Sequence, residues 1–232
     1  MTPFSPAELL RGISPARRPY LTFYGGADGN ERVELSGHVL AQWVAKAANF
    51  LAEEDVGAGD LVVVDLPIHW RAVVWTWAAW VRGASVSFVP DDGAPAVVVT
   101  DRPERHASRA DGALVVAVPL APLALRWDGE LAGGVVDGAA AVMGQADVLL
   151  FPVPLVVADR ALEDSGLSFE DLDAAFGVGD GSRIAFLPGS VWELVRTAVS
   201  AWLGGGSVVV FGDEVTLDRR TALCEQEGAN LR

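Results

Sequence analysis

The chain has 232 residues, 51% of them hydrophobic, and a formal net charge of -14 at pH 7. That charge opposes binding to a phosphate backbone, which draws its affinity from Lys and Arg contacts, so nucleic acid is not an expected partner. The lone cysteine, Cys224, allows neither an intramolecular disulfide nor a cysteine-based zinc site and suits a reducing, cytoplasmic setting; the apolar stretches are broken by Pro, Asp or Arg before about 18 residues accumulate, so no membrane span is expected.

The N-terminal stretch lacks the apolar core of a secretory signal and reads as a short capped helix, started by Ser5, Pro6 and Glu8 and stopped at Gly12. From residue 38 to 54, Val39, Leu40, Trp43, Val44, Ala47, Phe50 and Leu51 recur at helical spacing. Gln42, Lys46, Asn49 and Glu53 lie opposite, which predicts an amphipathic surface helix. A Gly-Ala-Gly-Asp turn leads into residues 61–66, a continuous apolar run with one Asp, as in a strand covered on both faces. Residues 69–82, apolar nearly all round and bearing Trp70, Trp75, Trp77 and Trp80, predict a buried helix that Gly83 ends. A strand over 84–89 and a turn over 90–93 complete a β-α-β unit, which implies a parallel pair. Further strands are expected at 96–100 and 113–118, separated by a polar stretch with Arg102, Glu104, Arg105 and His106. Residues 119–137 are rich in loop formers, and a strand is expected at 148–151.

The second half repeats the first. Leu66-Pro67, Trp70, Trp80, Gly83 and Ser85-Val86 have counterparts in Leu187-Pro188, Trp192, Trp202, Gly205 and Ser207-Val208, at an offset that changes by one residue inside the turn. Leu35-Ser36, at the entry to the first long helix, has a counterpart in Leu167-Ser168. The fold class expected is α/β, with two related β-α-β lobes and mostly parallel sheets. The chain is read as one domain over 1–232 with a first lobe at 19–145 and a second at 146–232.

Chemistry-bearing residues are sparse. His38, His69 and His106 show no metal spacing, so no metal site is expected. His69 follows a strand at a β-to-α turn, where open parallel sheets place their ligands; a capping or solvent-facing role is the plainer alternative. Lys46, the only lysine, sits on the polar helix face. Gly177 to Gly181 resembles a dinucleotide fingerprint only in composition, because it precedes a strand instead of following one. Ser190 stands at a strand-to-helix turn but lacks the G-x-S-x-G elbow, and Ser190 with Glu193 makes a capping box. No catalytic residue and no cofactor site is assigned. The candidate pocket residues are His69, Ser190 and Trp192.

In the order of its elements the chain resembles the N-terminal region of the AMP-binding, adenylate-forming family, which includes acyl-CoA synthetases. V-G-A-G-D-L-V-V-V-D-L-P from Val56 is similar to the family's G-V-x-x-G-D-x-V-x-x-x-x-P. W-V-R-G-A-S-V-S-F-V-P from Trp80 is similar to its K-A-G-A-x-x-V-P. Gly179-Asp180 through Leu187-Pro188 and Gly205 through Phe211 continue the likeness. The resemblance implies an acyl-CoA synthetase N-terminal-domain-like fold. Where the family has a Ser-, Thr- and Gly-rich loop ending in P-K-G that holds the ATP phosphates, this chain has P-V-P-L-V-V-A-D-R over 152–160, without Gly, Ser, Thr or Lys. The sequence ends before the family's Y-G-x-T-E and T-G-D motifs. The expectation is therefore a catalytically degenerate binding or interaction module that takes a protein partner or self-associates, with a small acyl or aromatic ligand as a further option. A divergent or partner-dependent acyl-activating ligase is the alternative.

Overall fold

The computed structural model describes residues 4–90, 93–109, 112–122 and 124–232. Asp91 and Asp92, in the expected turn at 90–93, lie outside the described residues.

The first helix, α1 (Pro6–Ile13), starts as read: Ser5 caps it by accepting from the Glu8 N–H. It runs through Gly12 to Ile13, because Ser14 N–H still reaches the Leu10 carbonyl. A hairpin follows, β1 (Pro19–Gly25) and β2 (Glu31–Ser36), and Ser36 caps α2 (Gly37–Glu53). The first β-α-β unit is β3 (Leu61–Asp65), α3 (Trp70–Val81) and β4 (Ser85–Ser87), with β3 and β4 parallel. Next come β5 (Val97–Thr100), a 3-10 turn at Pro103–Arg109, β6 (Leu114–Ala117), β7 (Val135–Asp137) and α4 (Gly138–Met143). After β8 (Arg160–Leu162), β9 (Leu167–Ser168) and α5 (Leu172–Phe176), the second unit is β10 (Arg183–Phe186), α6 (Val191–Leu203) and β11 (Ser207–Phe211), again parallel. α7 (Leu217–Glu227) and β12 (Asn230–Leu231) end the chain.

The strands form a five-stranded sheet in the order β12-β10-β11-β1-β2 and a seven-stranded sheet in the order β7-β6-β5-β3-β4-β8-β9. Each is parallel except for one antiparallel pair, β1 with β2 and β8 with β9. The α/β class and the two β-α-β units stand as read. The boundary at 145/146 does not follow the sheets: β1 and β2 join the sheet of β10 and β11, whereas β8 and β9 join the sheet of β3 and β4. The physical reason is pairing across long sequence distances, such as Leu21 with Val208 and Val86 with Leu162, which no local pattern encodes.

One hydrophobic core spans both sheets. It holds Val62, Val64 and Val99 from the larger sheet and Leu21, Phe23, Ile184 and Val210 from the smaller, with α2, α3 and α6. Every residue of α3 is buried, as its all-round apolarity requires. Trp77 of α3 stacks on Trp202 of α6 at 5.3 Å between ring centroids, which locks the two units together. Three of the buried indole N–H groups find carbonyls: Trp77 donates to Pro6, Trp80 to Ala161 and Trp202 to Tyr20. Cys224 is buried on α7. Two expectations fail. Leu167-Ser168 does not open a helix; it is the short edge strand β9, and Ser168 instead bonds Asp171 ahead of α5. Residues 148–151 form no strand, because their backbone groups bond the side chains of Asn49 and Arg82.

Candidate functional site

Residues 145–157 cross the surface as an irregular strap, and its backbone is held by side chains rather than by a neighbouring strand. Asn49, on the face of α2 read as polar, is fully buried. Its Nδ2 donates to the carbonyls of Ala146 (3.2 Å) and Val148 (2.8 Å), and its Oδ1 accepts from the Leu150 N–H at 2.9 Å. One amide thereby takes the place of a strand partner. Lys46 donates to the Gln145 carbonyl and pairs with Asp147 at 2.9 Å. Arg82, the C-cap of α3, donates to Val56 O and to Phe151 O. An amphipathic helix should turn its polar face to water; here the strap covers that face and uses its polar groups.

Between the strap, α1, α2 and the end of α3 lies a cavity of about 610 Å³. Its walls include Leu10, Ala45, Trp80, Leu149, Val153 and Leu155, while Ser5, Arg11, Ser14 and Asp147 supply the polar positions. Arg11 and Glu8 stand 4.0 Å apart on the exposed side of α1. The cavity therefore suits apolar matter with a polar end, within the size range of small-molecule sites.

The three sequence candidates lie elsewhere. His69 caps α3: its Nδ1 accepts from the Arg71 N–H at 3.2 Å, and its ring meets Phe23 edge-on at 4.7 Å. Burial pushes its pKa down to about 3; the Arg71 charge lowers it further, and a backbone hydrogen bond at Leu120 opposes both. His69 is thus neutral near pH 7 and already occupied. Ser190, exposed, caps α6 by accepting from the Glu193 N–H at 3.1 Å, while Glu193 Oε2 accepts from Gly189 N–H at 2.8 Å. Trp192 is half-buried against Trp80 and Phe176. Ser190 and Trp192 share the first turn of α6, but no hydrogen bond or ring contact joins that turn to His69 among the described residues, and none of the three lines the cavity.

A buried polar cluster escaped the sequence reading. Asp65 ends β3, Thr100 ends its neighbour β5, and His106 comes over from the 3-10 turn. His106 Nε2 is 2.8 Å from Asp65 Oδ2, Thr100 donates to the same oxygen at 3.3 Å, and Arg102 reaches Asp65 Oδ1 at 3.3 Å. The partners lie 35, 37 and 41 residues from Asp65, a separation with no motif. No group of three or more His, Cys, Asp or Glu side chains able to hold a metal occurs among the described residues.

No protein-family model matches the sequence. A protein of Mycobacterium tuberculosis described as a TIGR03089 family protein is 31% identical over 218 residues, covering 88% of each chain. The chain belongs to the TIGR03089 family. Among solved structures, this TIGR03089-family chain is similar to an acyl-CoA synthetase of Brucella canis, with a TM-score of 0.77 and 21% identity, covering 99% of this chain and 47% of that one. A putative long-chain-fatty-acid CoA ligase of Rhodopseudomonas palustris gives a TM-score of 0.69 at 17% identity, covering 98% of this chain and 62% of the other. The TIGR03089-family chain therefore has the fold of the N-terminal part of acyl-CoA synthetases and spans about half to three-fifths of these two solved chains. No helix among its described residues is long and apolar enough to cross a membrane.

Proposed function

We propose that this chain acts as a cytoplasmic binding or interaction module and does not by itself activate carboxylates with ATP. One observation carries the reading: the stretch that by sequence resemblance corresponds to the adenylate-forming family's phosphate loop is an apolar strap, and Pro152, Val153 and Leu155 from it wall the cavity. A triphosphate site needs closely spaced backbone N–H donors, cations or metal ligands. Pro152 and Pro154 have no N–H to give, and the Leu150 N–H is already taken by Asn49. Val153, Leu155 and Val156 place side chains where glycine would admit a phosphate. Asp159 and the net charge of -14 add repulsion. Losing three charge-assisted hydrogen bonds at about 1.5 to 3 kcal/mol each removes more than about 4 kcal/mol, or about a thousandfold in affinity.

The polar ends of the cavity leave room for a small acyl or aromatic ligand, and the whole of 1–232 works as one unit in this reading. Calorimetry with Mg²⁺ and ATP should show no binding below millimolar concentration, and carboxylate-dependent pyrophosphate exchange should be absent. A micromolar ATP dissociation constant, or exchange above background, would overturn the proposal in favour of a divergent ligase.

A further inference from the structure

We infer that the strap and the cavity behind it form a docking site for an apolar helical segment of a partner protein that carries Lys or Arg along its flank. This rests on the reading of the chain as a binding module. Five apolar side chains of the strap stand in solvent: Val148 is 64% exposed, Leu150 52%, Phe151 51%, Val156 54% and Val157 37%. Between Asp147 and Asp159 there is no charged residue. Single exposed apolar side chains need no explanation, but a contiguous run of them marks an interaction surface. A slack loop would fold such residues inward. Over 145–151 this one is held in place, because Asn49, Lys46 and Arg82 bind its backbone and leave the Val148, Leu150 and Phe151 side chains free.

Size and charge select the occupant. Leu150, Phe151 and Val156 lie outside the cavity lining, so a molecule confined to the cavity leaves them in water and a macromolecule is needed to cover both. Acidic groups run beside the strap. Glu53 accepts from Gln145 Nε2 at 2.7 Å, and Asp147 comes two residues later. Glu54 and Asp55 follow Glu53 at the end of α2, and all three are exposed. Lys46 offsets Asp147, Arg11 stands 4.0 Å from Glu8 and half-buried Arg82 is engaged by two carbonyls, whereas Glu53, Glu54 and Asp55 have no salt bridge to Lys or Arg among the described residues. A second copy of the chain would bring another -14, and an anionic membrane would also be repelled. A basic flank is attracted, and a helix presenting apolar anchors at i, i+3 or i+4, and i+7 matches an apolar groove.

The test is fluorescence anisotropy with a labelled helical peptide of about 18 residues, Leu on one face and Lys along the flank, beside a twin with Glu for Lys. The Lys peptide should bind one to one in the micromolar range, with the Glu peptide at least about tenfold weaker. Phe151→Asp should weaken the Lys peptide at least about tenfold. Phe151→Ser serves as a second variant if the first melts early. Absence of binding, or equal binding to wild type and both variants, overturns the inference. So does a dimer in light scattering, or flotation with phosphatidylcholine vesicles, that Phe151→Asp abolishes, since these assign the strap to a second copy or to a membrane. Micromolar ATP binding with peptide binding intact would overturn the module reading alone.

Discussion

Asn49→Ala removes the group on which the strap hangs. Three hydrogen bonds go with it, two from Nδ2 to the carbonyls of Ala146 and Val148 and one from the Leu150 N–H to Oδ1. At about 1 kcal/mol net each they sum to about 3 kcal/mol, and the freed backbone groups partly rehydrate because the strap faces water, which sets the expectation at about 2 to 3 kcal/mol. For a chain of this size that is a fall in Tm of about 5 to 10 °C. The damage should begin locally: amides of 146–151 should exchange faster than the rest of the molecule under native conditions. Asn49→Asp should cost more at pH 7, because a carboxylate oxygen then faces two carbonyls. Buried there, its pKa rises above the unfolded value, so the extra penalty is present at neutral pH and is relieved as protonation sets in on acidification. Urea denaturation and hydrogen exchange provide the readouts. A loss under about 0.5 kcal/mol for Asn49→Ala, with exchange at 146–151 unchanged, would refute the assignment of Asn49 as the anchor.

His69 supplies a pH dependence. Its folded pKa of about 3 lies below the unfolded value near 6.5, so the unfolded chain binds the extra proton between those values and stability falls as pH drops through that window. The loss should reach about 2 kcal/mol by pH 5, and His69→Asn, which keeps a capping acceptor, should flatten that part of the urea-denaturation profile; parallel profiles would contradict the buried neutral ring. Ser190→Ala should cost about 1 kcal/mol in urea denaturation through loss of the α6 cap, and the wild-type protein should not be labelled at Ser190 by a fluorophosphonate probe. Labelling there would reverse the reading of Ser190 as purely structural.

Much of the local structure was legible in the residues. Ser5, Ser36 and Ser190 cap the helices that follow them. The Trp-bearing segments are buried helices, and the apolar runs after the Gly turns are strands, because caps, turn glycines and hydrophobic period act over a few residues. The stretch at 152–160 also shows, by composition alone, two prolines and no Gly, Ser, Thr or Lys. Tertiary structure decided the rest. Residues 148–151 are as apolar as a strand, but their backbone bonds go to Asn49 and Arg82, and a strand needs a neighbouring strand. Asn49 carries the polarity of a solvent-facing residue; only the chain laid across it buries it and turns its amide into an anchor. The cluster of Asp65 and His106, and the exchange of β1, β2, β8 and β9 between the sheets, arise from pairings far apart in sequence. Such contacts are chosen by the free energy of the whole packed chain, so no window of neighbouring residues contains them.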